Sequence, residues 1–297
     1  MSYCFSDLEV QKITARFGAE FFDQLKLKLP YYLKKWQISE VTLIDYFSVN
    51  CVFKGVSAEY GKVIMKIGKP SKETYTEYHA LADYRGRGFC RAYQADLNEG
   101  VILLACIEPG IRLRDESDLK KRLKAFSGVY TGLHTEPENS DVYPSYLDWV
   151  SRISTYMKHR EDFIELSDFM TRAEGICLEL GKKYTSKMLL HGDLHHDNLL
   201  LSEGGQYLII DPKGVIGDPI WDLPRFILNE YEPSWLYENR LSHIQTIICW
   251  LSDHLNIPYR VLCECFFVES TMAVCWDVED GGKPDFECVR MAAFLCE

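Results

Sequence analysis

The stretch Leu189-Leu190-His191-Gly192-Asp193-Leu194-His195-His196-Asp197-Asn198-Leu199-Leu200 decides how the rest of the chain is read. Its skeleton is H-x-D-x-x-x-x-N between pairs of leucines, and a later β-prone run, Leu208-Ile209-Ile210, ends in Asp211. A phosphoryl group in transfer needs little covalent help, so a protein that moves one supplies position and neutralised charge. Asp193 can orient a hydroxyl and take its proton. Asn198 offers a neutral amide oxygen and Asp211 an anionic one, both hard ligands suited to Mg²⁺. A short loop followed by a hairpin can bring all three to one point, which is the arrangement of a kinase catalytic loop. A lone H-x-D fits a turn with a capping aspartate. The Asp-to-Asn spacing, the leucine flanks and the later apolar run ending in Asp together favour the kinase reading. His191 is expected to pack and hydrogen-bond inside the loop. His195 and His196 are adjacent, and adjacent side chains on extended backbone point apart, which argues against a histidine metal site.

Working upstream, Val63-Ile64-Met65-Lys66-Ile67 is a β-prone run with one lysine among apolar residues. Lys66 there can project toward the α and β phosphates of ATP; the rival reading is an edge-strand lysine. Glu77, in the helix that follows, is placed to hold Lys66 by an ion pair. Glu73 lies one turn earlier on the same face and is the alternative; a solvated helix face is the bland reading of both. Phe47-Ser48-Val49-Asn50 contains no G-x-G-x-x-G, so turn amides with Ser48 and Asn50 would have to cover the phosphates, which weakens a protein-kinase reading. So does the passage from Asp211 directly to Gly217-Asp218-Pro219, with no A-P-E-like anchor between. Downstream, Asp222 is expected to accept backbone N–H bonds and brace the catalytic loop. A helix N-cap is the alternative for Asp218 or Asp222.

Ser6-Asp7-Leu8-Glu9 reads as a capping box. Helices are expected from there to about Trp36, broken near Gly18 and at Pro30. Val41–Ile44, Cys51–Phe53 and Val63–Ile67 read as an antiparallel sheet of hairpins. A helix is expected over 72–84, ended by the glycines of Arg85-Gly86-Arg87-Gly88. Val101–Ile107 is a continuous apolar run, as in a strand buried on both faces, and Glu108-Pro109-Gly110 stops it. Beyond it the chain is mainly helical, with Leu119, Leu123, Phe126, Tyr130 and Leu133 on one helical face and Leu241, Ile244, Ile248, Leu251 and Leu255 on another. An island of short β structure interrupts near 189–211. The fold class is therefore α+β, with a β-rich lobe over 1–106 and a mainly helical lobe over 107–297. The seam between two such lobes is a natural ligand cleft.

A net charge of −11 repels a phosphate backbone, so nucleic-acid binding is not expected. No apolar run approaches the roughly 18 residues of a membrane span, and no signal peptide is visible behind Met1. The 11 cysteines, odd in number and mostly in apolar stretches, fit buried reduced thiols in a cytoplasm. The acidic balance suits a cationic small molecule. Asp277, Glu279, Asp280, Asp285 and Glu287 surround a single Lys283, and Trp276 beside them offers an aromatic face to a guanidinium or ammonium. Asp218, Trp276, Glu279 and Asp280 are thus candidate acceptor-binding residues; a solvated acidic loop is the alternative for the segment.

These residues resemble the aminoglycoside phosphotransferase family, in its streptomycin 6-kinase and hydroxyurea phosphotransferase branch. The resemblance runs from Leu29-Pro30 and Trp36, through Val63–Ile67 and Glu77-Tyr78-His79-Ala80-Leu81, to Gly86-Arg87-Gly88, Leu103-Leu104 and Glu108-Pro109-Gly110. It is most specific at His191 through Asn198, Ile210-Asp211-Pro212-Lys213-Gly214 and Gly217-Asp218-Pro219 through Asp222-Leu223. It continues at Met272–Trp276 and Glu279-Asp280-Gly281. The resemblance implies a two-lobed protein-kinase-like fold and a cytoplasmic bacterial enzyme of antibiotic resistance. It implies ATP bound at a hinge near Ala105, Cys106 and Ile107, Mg²⁺, and a small-molecule acceptor such as an aminoglycoside or hydroxyurea. A kinase of another small metabolite alcohol is the alternative, and a pseudokinase a further one that intact Lys66, Asp193, Asn198 and Asp211 oppose. Two places depart from the pattern. His196-Asp197 stands where Pro-Gly is common, and Ala105-Cys106 replaces a commoner Glu-Arg at the hinge, where contacts run through backbone.

Overall fold

The computed structural model describes residues 3–44, 49–232 and 234–297. The chain forms two compact units, Met1–Gly110 and Ile111–Glu297. In the first, α1 (Asp7–Phe17) opens on the capping box: Ser6 Oγ accepts from the Glu9 amide, and the Glu9 carboxylate accepts from the Ser6 amide at 2.7 Å. Gly18, at φ 90°, ends α1 and opens α2 (Ala19–Lys35). Pro30 does not break α2, contrary to the sequence expectation. Proline removes one intrahelical bond, and the burial of Phe21, Leu25, Leu29, Tyr32 and Leu33 along one face carries the helix through it.

The sheet of this unit has strand order β1-β2-β3-β5-β4, antiparallel throughout: β1 (Ile38–Leu43), β2 (Cys51–Ser57), β3 (Gly61–Ile67), β4 (Ala92–Asp96) and β5 (Val101–Ala105). The period of two sorts the side chains. Phe53, Val63, Met65, Ile67 and Leu103 join Ile13, Leu25, Leu29 and Trp36 in one core, so α1 and α2 cover that face. Lys66 falls in the opposite register and points away from this core. β4 was not anticipated; it pairs with β5 despite a half-buried, polar sequence, because β5 is apolar on both faces and takes a partner on each side. The helix α3 (Lys72–Tyr84) falls where expected, N-capped by Ser71, and it is Arg85, left-handed at φ 51°, that ends it.

β6 (Pro109–Arg112) lies at the junction of the two units in the chain. The second unit holds α4 (Leu119–Thr131), α5 (Tyr146–Lys158), α6 (Ile164–Gly181), β7 (Met188–Leu190), β8 (Leu199–Ser202), β9 (Tyr207–Ile209), β10 (Val215–Gly217), α7 (Pro224–Leu228), α8 (Tyr237–Leu255), α9 (Tyr259–Glu279) and α10 (Phe286–Leu295). Its axis is α9, buried on nearly every side between Leu262 and Val278 and packed on α5, α6, α7, α8 and α10. That all-round apolar character marks a helix in the middle of a core. β7 pairs with β10 and β8 with β9, so two short antiparallel ladders flank the H-x-D segment. No described helix is long and apolar enough to cross a membrane.

Candidate active site

The H-x-D segment leaves β7 and re-enters regular structure at β8. Asp222 holds its first residues: one carboxylate oxygen accepts from the His191 amide at 2.8 Å, the other from the Gly192 amide at 2.7 Å. His134 Nε2 lies 3.0 Å from the first of these oxygens, and Asp222 is 1% exposed. Asp222 thus accepts both amides at the head of the loop. Gly192 sits at φ +77°, and a Cβ there would meet the Trp149 ring at 2.9 Å, so both backbone and space demand glycine. The His191 ring is fixed by two bonds. Nε2 lies 2.8 Å from the Ile210 carbonyl, and Nδ1 accepts from the Asp193 amide. That pair of partners assigns the neutral tautomer with its proton on Nε2. Burial keeps His191 below its ordinary pKa despite the nearby Asp222.

Asn198 donates from Nδ2 to the Asp193 carbonyl at 2.9 Å, which commits its nitrogen and leaves Oδ1 as the open end. Ile210 N–H bonds the Asn198 carbonyl, tying the Asp211 turn to the loop. Asp211 has φ 58°, a left-handed conformation that Asp tolerates better than most residues. Non-glycine residues held there concentrate at functional sites. An amide oxygen and a carboxylate are both hard donors of the kind that Mg²⁺ takes. No cluster of three or more His, Cys, Asp or Glu among the described residues is placed to hold a metal. His195 and His196 diverge as expected: His195 Nε2 faces Asp193 at 3.8 Å, and His196 Nε2 bonds Glu230 at 2.7 Å.

The Asp193 carboxylate makes ion-pair contacts but no hydrogen bond among the described residues. Arg225 Nε is 3.3 Å from its Oδ1. Burial alone would raise this carboxyl; the charge of Arg225, with His195 and Lys213 behind it, more than reverses that and holds it below its ordinary value. Arg225 also binds Glu269 Oε1 at 2.7 Å, and Tyr146 donates to Glu269 Oε2 at 2.6 Å. Burial raises the Glu269 carboxyl, with Arg225 and Tyr146 opposing. Tyr146, Trp149, Arg225 and Glu269 escaped the sequence reading. Glu269 left a signal, as a lone carboxylate in the apolar run Phe266-Phe267-Val268-Glu269-Ser270. A buried acid in such a run needs a partner.

The acidic segment near the C-terminus is less available to a ligand than its sequence implies. Glu279 is held by Arg152 through two bonds of 2.6 and 2.9 Å, Asp285 N-caps α10, and Glu287 pairs with Arg240. Asp280 caps the end of α9. The face of Trp276 carries the chain's own Arg225, 5.7 Å from the ring centre. Asp218 is an N-cap, accepting from Ile220, and also accepts from the Ser186 amide.

In the first unit, Lys66 Nζ lies 2.6 Å from Glu77 Oε1, and both are buried; Glu77 rather than Glu73 is the partner. Val52 and Ile102 flank Lys66 in the sheet, so three strands fix its position. Asn50 packs its carboxamide where a Cβ at Gly68 would stand. Ser48 lies outside the described residues. At Ala105–Ile107 the Cys106 amide bonds the Lys62 carbonyl at 3.1 Å, and Lys54 and Lys62 hold Glu108 just beyond.

The chain resembles solved kinases over nearly its whole length. Choline kinase LicA from Streptococcus pneumoniae superposes with a TM-score of 0.63 at 15% identity, covering 92% of this chain and 97% of that one. An aminoglycoside phosphotransferase APH(4)-Ia, solved with AMP-PNP and hygromycin B, gives 0.63 at 11% identity over 90% and 95%. These likenesses establish the protein-kinase-like fold. In sequence the chain is 25% identical over 232 residues to the hydroxyurea phosphotransferase of Kitasatospora aureofaciens, covering 74% of this chain and 67% of that protein. It is 20% identical over 255 residues to the streptomycin 6-kinase of Streptomyces glaucescens, covering 84% and 81%. A family model described as aminoglycoside/hydroxyurea antibiotic resistance kinase matches residues 35–281, across both units and every catalytic-loop residue described above, and the chain belongs to that family.

Proposed function

We propose that this protein transfers the γ-phosphoryl group of ATP to a hydroxyl of a small molecule of the aminoglycoside or hydroxyurea kind, with Asp193 as base. The observation that carries the reading is the Asp193 carboxylate itself. Its loop is pinned by Asp222, its charge is favoured by Arg225, and its oxygens make no hydrogen bond among the described residues. An acceptor hydroxyl that donates to Asp193 is aligned for attack. As its oxygen bonds to phosphorus, the bond to the bridging oxygen of ADP breaks and the proton passes to the carboxylate. Mg²⁺, held by Asn198 Oδ1 and Asp211, would neutralise phosphate charge. Lys66, positioned by Glu77, is assigned to the nucleotide phosphates, and the backbone at Ala105, Cys106 and Ile107 to the adenine. The test is ADP release from purified protein with Mg·ATP and a panel of aminoglycosides, hydroxyurea and choline-like alcohols. Acceptor-dependent release that vanishes in Asp193→Ala supports the assignment; release that persists in that variant removes Asp193 from the mechanism.

A further inference from the structure

His195 uses one ring nitrogen inside the loop and leaves the other beside the base. Its Nδ1 accepts from the Asp197 amide at 3.4 Å, so the neutral ring carries its proton on Nε2. That Nε2 lies 3.8 Å from Asp193 Oδ2, beyond hydrogen-bond reach, and the Nε2–H has no other partner among the described residues. The two oxygens of Asp193 are therefore unlike: Arg225 stands 3.3 Å from Oδ1, and a neutral donor with nothing to donate to faces Oδ2. The His195 side chain is 17% exposed and its Nε2 is not among the enclosed polar atoms that lack a partner, so a ligand can reach the donor. The bond to Asp197 occupies Nδ1 alone and gives no reason for an N–H on the far side of the ring.

We infer that His195 is a second catalytic residue: its Nε2–H donates to an oxygen of the phosphoryl group in flight while Asp193 Oδ2 takes the proton of the acceptor. This rests on the kinase reading above. A hydroxyl bonded to Oδ2 stands about 2.8 Å from it, and the phosphorus that bonds to that hydroxyl brings its own oxygens alongside. A gap of 3.8 Å is too wide for the two side chains to satisfy each other and narrow enough for both to meet one reacting group. Charge in a loose transition state is spread over the phosphoryl oxygens, and a fixed donor aimed at them stabilises that charge without reorganising. The same donor on the attacking oxygen would hold back the lone pair that forms the new bond. His195 neither gains nor loses a proton; the proton that leaves the acceptor goes to Asp193.

The experiment separates the two ring nitrogens. In His195→Asn the side-chain oxygen stands where Nδ1 was and still accepts from Asp197, but no N–H reaches the Nε2 position. In His195→Gln the side-chain NH₂ takes the Nε2 position and the Asp197 amide loses its acceptor. Calorimetry measures the factor by which aluminium fluoride, a stand-in for the phosphoryl group in flight, tightens Mg·ADP binding; urea unfolding measures the fold. His195→Asn is expected to lower that factor by about tenfold or more, with Mg·ADP affinity and the unfolding midpoint unchanged. It should also cut kcat for hydroxyurea or streptomycin, whichever turns over, by about 10² with little change in acceptor KM. His195→Gln is expected to lower the midpoint and keep most of the factor. The reverse pattern, with Asn active and Gln not, makes His195 a loop cap alone and overturns the inference. So does a wild type whose Mg·ADP affinity aluminium fluoride leaves unaltered, or an Asn variant that raises acceptor KM with the factor intact. Acceptor-dependent ADP release by the wild type keeps the kinase assignment standing in each of these cases, and its absence removes both.

Discussion

Removing the brace at Asp222 separates loop geometry from chemistry. In Asp222→Ala the amides of His191 and Gly192, now bonded at 2.8 and 2.7 Å, lose their acceptor, and His134 loses a partner. Each orphaned donor costs about 1–3 kcal/mol, so the loss is about 2–6 kcal/mol against a stability of order 5–15 kcal/mol. The half-buried Gly192 belongs at the lower end of its range. In Asp222→Asn one oxygen remains for one amide. The new NH₂ faces the other amide, while His134 can accept from it by shifting its proton. One donor rather than two is stranded, so Asn is expected to cost about half as much as Ala. Urea unfolding followed by tryptophan fluorescence reads this unit, since Trp149, Trp221, Trp235, Trp250 and Trp276 lie in it and Trp36 alone lies outside. Turnover should fall by about 10² in Ala, because a displacement of about 1 Å in a positioned group costs that much. Equal destabilisation by Asn and Ala, or full turnover in a destabilised Ala variant, would refute the reasoning.

Asp193→Ala should lower kcat by about 10²–10⁴ with ATP affinity little changed, the usual worth of a general base; near-normal turnover in steady-state kinetics counts against it. Asn198→Ala and Asp211→Ala should both weaken Mg·ATP binding in calorimetry, Asp211→Ala more severely because it removes an anionic ligand. Glu77→Ala removes the carboxylate 2.6 Å from the buried Lys66, so ATP KM should rise and stability fall by about 1.5–3 kcal/mol, the worth of a hydrogen bond between charged groups; an unchanged unfolding midpoint would show that the pair adds nothing to the fold. Burial would raise the Glu230 carboxyl, but bonds from His196, His243 and Arg122 win and hold it far below its ordinary value. A depressed carboxylate stabilises fully above its unfolded pKa of about 4.3 and loses that contribution as pH falls. The stability gap between wild type and Glu230→Gln should therefore be widest near pH 7 and narrow toward pH 3, and a gap independent of pH would exclude the ionised Glu230.

What the sequence disclosed about the site was local or periodic. The Asp-to-Asn spacing, the lysine among apolar neighbours and the helix over 72–84 are all fixed by residues a few positions apart, and the strand and the helix fall where the pattern puts them. Pro30 has the propensity of a helix breaker, but the face that α2 buries outweighs it, and that face is a tertiary fact. β4 was invisible because its reason for being a strand is β5 rather than its own composition. The Tyr146–Glu269–Arg225 chain joins three helices, and no spacing in the sequence encodes that meeting.

The His196-Asp197 departure shows the same limit from the other side. A Pro-Gly pair shapes a turn through its own backbone preferences and needs no partner. His196 and Asp197 shape theirs through distant charges. Arg114 grips Asp197 with bonds of 2.8 and 2.9 Å, and Glu230 accepts from His196 while Arg122 clamps the same carboxylate at 2.9 and 2.7 Å. His196 also stacks on Phe226 at 4.2 Å, in the helix that carries Arg225. The loop is thus tied by Asp222 where it begins and by Arg114 and Glu230 where it ends, with Asp193 between the ties. Fixed charges on both flanks suit preorganisation: with Asp193 as the proposed base, its carboxylate need not move when an acceptor arrives. They also explain why a loop lacking the usual turn residues keeps its spacing: the constraint moved from the backbone to Arg114 ahead of α4, to Arg122 in α4 and to Glu230 after α7, where a reading of the motif alone does not look.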